Sequence, residues 1–244
     1  MTLSKWQALG NDYLLVERAE LAEPLTPDRV RELCEGQSDG ILEVLSRDGS
    51  HADVKVWNSD GSTAEMSGNG ARIAAAWLSR ASGARRVELR VGERDVTARV
   101  DGDVVELDVG PYEVGELETL DLGEERVDFT PVSVGNPHAV VRREPDRDDL
   151  LRLGPRIERH WGFPNGTNVQ FVRVDGPHDL TVVVWERGVG ETQSSGTSSV
   201  AAAAAAVAHG WCETPVNVHL PGGDLVVELD AGNARLTGPV QEVV

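Results

Sequence analysis

Cysteine is nearly absent from this chain of 244 residues: the two present, Cys34 and Cys212, lie far apart and outside any Cys-x-x-Cys or Cys/His spacing. Nothing therefore indicates a disulfide framework or a metal site. Lysine is equally scarce, with Lys5 and Lys55 alone. No Lys/Arg-rich stripe interrupts a formal net charge of -18, which argues against binding a nucleic-acid backbone. No apolar run approaches the roughly 18 residues of a membrane span. The start, MTLSKWQALGNDYLLV, has neither the apolar stretch nor the cleavage site of a secretory leader. These absences leave a cytoplasmic protein without a membrane or nucleic-acid partner as the expectation. The acidity concerns solubility and carries no functional reading of its own.

What the chain does have is repetition. GNDYLLV at 10–16 returns as GNPHAVV at 135–141. EMSGNGARIAAAWL at 65–78 returns as ETQSSGTSSVAAAAAA at 191–206, each a polar, glycine-bearing turn opening into an alanine-rich helix. A serine stands at each hinge, Ser67 before Gly68 and Ser195 before Gly196. VELRVGERDVTARVDGDVVEL from Val87 matches VNVHLPGGDLVVELDAGNARL from Val216, with Asp95 on Asp224 and Leu107 on Leu236. Three blocks in one order at nearly one offset make the chain two copies of a single module.

Alternating stretches such as VELRV, VTARV and VVELDV read as half-buried strands, punctuated by turns at Gly92, Asp101-Gly102, Gly222-Gly223 and Gly232-Asn233. Helices are expected over 26–36, 68–82, 147–160 and through the alanines at 201–206, which have the highest intrinsic propensity. A run of alanines lacks bulk on every face, so it reads as a central buried helix closely wrapped by strands. The module is thus α+β. The expected halves are 1–118 and 119–244, with the C-terminal end returning to the first half.

Glycine before a helix frees backbone N–H groups to face an anion, and the helix dipole adds partial positive charge. A P-loop is excluded because no Lys follows the glycines. Either serine alone reads equally well as an ordinary helix N-cap. Two such termini brought together would instead cradle one carboxylate and place the hinge side chains on opposite faces of one carbon.

NSDGSTAEMSGNGAR at 58–72, GNDY at 10–13, GNPH at 135–138, TNVQF at 167–171 and WERGVGETQSSGTSS at 185–199 resemble the diaminopimelate epimerase family over nearly the whole chain, in the family's order and spacing. The resemblance implies that family's fold, two pseudo-symmetric α+β halves each with a barrel-like sheet around a central helix, and an active site in the cleft between them. It implies cofactor-free interconversion of LL- and meso-diaminopimelate in lysine and cell-wall precursor synthesis, a small amino-acid substrate, and allows a homodimer. Ser67 and Ser195 fall at the two catalytic positions. Asn11, Asn58, Asn136 and Asn168 would hold the substrate's polar groups, Glu186 and Arg187 its distal end, and His138 would line the site. The backbone amides of Gly68, Asn69, Gly196 and Thr197 would hold the α-carboxylate. Read without the resemblance, Asn58 is a turn residue and Glu186-Arg187 a surface pair.

The sequence departs from the family at its centre: the two catalytic residues there are cysteines, and here both are serine. Neither Cys34 nor Cys212 sits at a motif, so both read as structural. A hydroxyl is too weak an acid to replace a thiolate. Three expectations follow from that gap: an epimerase impaired by a deliberate change, a natural enzyme whose base is His138, Glu65 or Glu191, or a repurposed member of the wider superfamily of proline racemase, hydroxyproline dehydratases and the phenazine-pathway isomerase. A non-catalytic amino-acid-binding protein is the reading from another class.

Overall fold

The computed structural model describes residues 3–64, 67–92 and 94–243. The chain forms two compact units, Met1–Asp108 with Thr237–Val244, and Val109–Leu236. Glu65, one of the expected bases, lies outside the described residues.

The first unit opens on a hairpin of β1 (Ser4–Ala8) and β2 (Asn11–Glu17). Its turn holds Gly10 at φ 82, the left-handed backbone that glycine adopts without steric cost. Helix α1 (Pro27–Cys34) leads to β3 (Gly40–Asp48), which pairs parallel with β2. Thr26 caps α1 and Pro27 starts it, the residue types that favour a helix start. β4 (His51–Asn58) turns back on β3, and the short β5 (Thr63–Ala64) turns back on β4. After α2 (Gly68–Ser82) comes β6 (Arg86–Val91), parallel to β4, then β7 (Arg94–Asp101) and β8 (Val104–Pro111), each antiparallel to its predecessor.

The second unit repeats this order after β9 (Glu113–Val114) and β10 (Glu118–Asp121). β11 (Arg126–Ser133) and β12 (Pro137–Arg142) form the antiparallel pair, joined through Gly135 at φ 80. α3 (Arg147–Glu158) leads to β13 (Asn168–Gly176), parallel to β12. β14 (Asp179–Glu186) and β15 (Gly190–Thr192) are antiparallel returns. α4 (Gly196–Ala208) precedes β16 (Val216–Leu220), parallel to β14, and then β17 (Gly223–Asp230). β18 (Asn233–Pro239) follows, and β19 (Gln241–Val243) pairs with β1, placing the last described strand in the first unit. One topology is therefore built twice, α+β in class.

Packing explains the alanines. α2 lies against β1, β2, β4, β6 and β7, and α4 against β11, β12, β13, β14, β16 and β17. A helix surrounded by strands must be small on every side, and residues 201–206 are all alanine and all buried. α1 and α3 pack elsewhere in their units: Val30 and Cys34 join Leu14, Ile41 and Trp57, while Leu150, Leu153 and Ile157 join Phe129, Val141 and Phe171. Burying such side chains contributes about 1.5–3 kcal/mol each. No helix among the described residues is long and apolar enough to cross a membrane.

Candidate active site

Strand register brings the motif residues of each unit together. In the first unit Tyr13 on β2 stands opposite Gly40 on β3, and Gly40 opposite Asn58, the last residue of β4. In the second, His138 on β12 stands opposite Asn168 on β13, beside the end of β14 at Glu186. Tyr13 and His138 are thus counterparts, as are Asn58 and Glu186.

Ser67 is the N-cap of α2, its backbone extended at φ -135, and its Oγ accepts from the Gly70 N–H at 3.0 Å. The phenol of Tyr13 lies 3.1 Å from the same Oγ. Gly70 is closely packed: a Cβ there would come within 2.9 Å of Leu42 Cδ2 and 3.3 Å of Ser67 Oγ, so the leucine would have to shift. Ser195 takes the matching position on α4, with φ -149, yet its side chain caps nothing. Its hydroxyl instead lies beside the Glu186 carboxyl group, whose pKa is raised because burial outweighs the lowering effect of Ser195. The capping reading therefore holds for Ser67 and fails for Ser195.

Gly68 and Asn69, like Gly196 and Thr197, occupy the first two positions of their helices. N–H groups there point along the axis and have no acceptor within the helix, which suits them to an anion. The Asn69 side chain is buried, donates through Nδ2 to Asn11 Oδ1 at 2.5 Å, and accepts from Arg72 Nη2 at 2.6 Å. Arg72 is fully buried, and burial alone pushes its pKa down to about 10. Asn58 is built as a turn: its N–H donates to Ser62 O and its Nδ2 to Ser62 Oγ, both at 2.9 Å.

In the second unit, His138 is buried and both ring nitrogens are engaged. Gln170 Nε2 donates to Nδ1 at 3.1 Å, and Nε2–H donates to Asn136 Oδ1 at 3.0 Å. Burial, with the nearby Arg187 charge adding to it, pushes its pKa down to about 3. A neutral imidazole so engaged is a weak base. Asn168 donates to Pro137 O and accepts from the Arg187 N–H, each at 3.0 Å, so its amide clamps two backbone segments. Arg187 is exposed, and its Nη1 reaches Asn165 O at 3.3 Å. The turn bearing Glu186 and Arg187 is held from below by buried Glu158, which accepts from Trp185 Nε1 at 2.7 Å and from the Gly188 N–H at 2.9 Å. Glu191, an expected base, is spent on a bidentate pair with Arg147 at 2.7 Å.

Tyr13, Arg72, Glu158 and Gln170 join the site without being singled out by the sequence. Tyr13 and Arg72 sit inside motifs already quoted, and Gln170 inside TNVQF, so their positions are the available signal. Glu158 carries none, because its role depends on where α3 meets β14. Among the described residues, no three His, Cys, Asp or Glu cluster as a metal site would require.

Comparison with known proteins bears on the family and the fold. A family model described as diaminopimelate epimerase matches residues 3–114 and 130–243. The diaminopimelate epimerase of Desulfitobacterium hafniense is 36% identical, with 100% of this chain and 96% of that protein covered. That of Pseudomonas aeruginosa is 34% identical, covering 100% and 97%. Among solved structures, a predicted epimerase from Pseudomonas aeruginosa matches with a TM-score of 0.73 at 18% identity, covering 99% of this chain and 96% of that one. A hydroxyproline epimerase from Agrobacterium vitis, with trans-4-hydroxy-L-proline bound, matches at 0.69 and 16%, covering 99% and 90%. At such identities the structures speak for the fold alone.

Proposed function

The chain belongs to the diaminopimelate epimerase family, and from that premise we propose that it binds diaminopimelate as a cofactor-independent epimerase whose two proton-transfer positions carry Ser67 and Ser195, which impair its turnover. An epimerase or racemase type of function accords with the family and with the solved relatives' fold. The observation that carries the reading is the matched placement of the two serines, each at the head of the central helix of its unit. In this reading the first amides of α2 and α4 take the α-carboxylate. Asn11, Asn58, Asn136 and Asn168 order the remaining polar groups, directly or through the backbone they hold, and Glu186 and Arg187 serve the distal amino-acid end. His138, fully engaged and neutral down to about pH 3, lines the site.

Serine limits the chemistry. The hydroxyl pKa stands near that of water, far above the value of about 8.5 for a thiol. Each position thus lacks the thiolate a two-base mechanism draws on, and turnover is slow or absent at neutral pH. Binding without turnover is the second reading, and the same two serines favour it. An NMR time course of LL-diaminopimelate in deuterium oxide, paired with calorimetry, decides between them. Deuterium entering the α-position with meso isomer appearing supports the enzyme. Binding without exchange supports the binding protein, and the absence of both defeats the two readings together.

A further inference from the structure

Arg72 is the anomaly in the first unit. It lies inside α2, five residues past Ser67, and has no exposed surface. A buried guanidinium is costly unless an anion or several acceptors compensate it. Among the described residues no carboxylate pairs with Arg72, and its Nε and Nη1 have no hydrogen-bond partner. Packing does not ask for this charge. The matching position of α4, five residues past Ser195, is Val200, equally buried, and α4 contains no charged residue at all.

The contact Arg72 does make says where its charge sits. Side chains on a helix lean toward its N-terminus, and Arg72 Nη2 reaches back to donate to Asn69 Oδ1 at 2.6 Å. Asn69 is the second residue of α2, and its backbone N–H is one of those without an acceptor inside the helix. Covalent geometry keeps Nη2 within about 7 Å of that nitrogen. At neutral pH an arginine holds its proton even where burial lowers its pKa to about 10. The first turn of α2 also holds no acidic residue. The head of α2 therefore has a whole positive charge added to the roughly half charge of its dipole, whereas α4 gives its own head the dipole alone.

We infer that Arg72 is a buried counter-charge for the ligand: it makes the head of α2, rather than that of α4, the end that draws in a carboxylate, and it favours an anion at position 67. The inference rests on the proposed function only in taking the first amides of α2 to meet the ligand. Arg72 acts through space and touches no reacting atom, so it is a positioning residue and not a catalytic one. A unit charge at about 10 Å changes the stability of an anion about tenfold, or one pKa unit.

Two substitutions separate charge from hydrogen bonding: Arg72→Lys keeps the charge, and Arg72→Gln keeps a donor for Asn69 without it. In the full Ser67→Cys chain, with no ligand, ultraviolet titration should find the thiolate pKa raised by about one unit by Arg72→Gln and nearly unchanged by Arg72→Lys. In calorimetry with meso-diaminopimelate, Arg72→Gln should weaken binding about 10-fold and Arg72→Lys less than about 3-fold. If both variants fail to fold, the intact arginine serves as its own probe. In NMR of the labelled Ser67→Cys chain, the Arg72 Nε–H resonance should shift with the titration of the introduced thiol. An unchanged thiol pKa in Arg72→Gln overturns the inference, as does retained affinity in Arg72→Gln with loss in Arg72→Lys. With neither variant folded, an Nε–H resonance indifferent to the thiol overturns it equally. A thiol shift with no binding of either diaminopimelate isomer would sink the proposed ligand and leave the role of the charge at position 67 established.

Discussion

Replacing both hinge serines by cysteine, Ser67→Cys with Ser195→Cys, should give an active epimerase, and the structure says which thiol is base. The pKa gap between hydroxyl and thiol is about 7 units, on the order of 10 kcal/mol at about 1.36 kcal/mol per unit. A helix N-terminus returns only about 0.3–2 kcal/mol of it, so no serine at these positions can ionise usefully. A thiol is different, because a shift of about one unit brings it close to neutrality. Position 67 provides that shift, with the Gly70 N–H at 3.0 Å and the start of a helix of 15 residues. Position 195 also heads a helix, yet it stands beside the Glu186 carboxyl group, and a negative charge on that group would push a thiol's pKa up. In the resting double variant the thiol at position 67 should therefore be ionised and the one at position 195 should hold its proton. The double variant should exchange the α-proton of LL-diaminopimelate about 10²–10⁴-fold faster than either single variant, since acid and base act as one unit. Ultraviolet titration of the thiolate in each single variant should give Ser67→Cys the lower pKa and Ser195→Cys the higher. Iodoacetamide should abolish the activity through the introduced thiol at position 67, because Cys34 and Cys212 are buried and their thiols pushed up by that burial. Fast epimerisation by the serine protein itself, indifferent to thiol reagents, would refute the reasoning outright. A lower pKa in Ser195→Cys than in Ser67→Cys would refute the assignment of roles.

Three further outcomes follow from single contacts. His138 is neutral in the folded protein down to about pH 3 but titrates at about 6.5 when unfolded; its contribution is present above that value and lost, by a few kcal/mol at most, as pH falls between the two. Urea unfolding at descending pH should therefore show a shallower loss for His138→Gln than for the parent, and parallel losses would remove this histidine from the account. Gly70→Ala should destabilise by about 1–2 kcal/mol, since crowding of Leu42 and Ser67 outweighs the gain of about 1 kcal/mol from helix propensity; a raised melting temperature would show that Leu42 gives way. Glu158→Gln puts an amide N–H where Trp185 or Gly188 needs an acceptor, costing about 1–3 kcal/mol of stability. It should also weaken diaminopimelate binding in calorimetry by loosening the turn that carries Glu186 and Arg187.

The fold was legible because it was written twice. A single GNDY or a single glycine turn fixes little, but paired blocks locate strands, helix starts and hinge residues against each other. The helices then fall where periodicity and capping chemistry place them: α2 runs Gly68–Ser82 and α4 encloses the alanines. What sequence could not show is how polar side chains divide their hydrogen bonds. Asn58, Asn136 and Asn168 look interchangeable in a motif, whereas in the fold one ties a turn, one receives a histidine proton and one clamps two backbone segments. The bonds of Asn58 and Asn136 are local, to Ser62 and His138, but Asn168 bonds Pro137 and Arg187, distant in the chain, and a motif does not encode such contacts.

The two copies have diverged around the hinge serines. In the proposed reading, a proton moved from one face of a carbon to the other needs unequal surroundings at Ser67 and Ser195 at any instant. Tyr13 faces Ser67 with a phenol, and its counterpart His138 is held neutral by Gln170 and Asn136. Asn58 brings an amide to the end of β4, where Glu186 brings a carboxylate to the end of β14 and to Ser195. The side chain of Ser67 is engaged by its own helix, and that of Ser195 by an acid. Of these differences, the Gly70 N–H at Ser67 favours a negative charge at that position and the Glu186 carboxyl group at Ser195 favours a proton. That polarity is a property of the surroundings rather than of the hinge atom, so it should persist when oxygen is exchanged for sulfur.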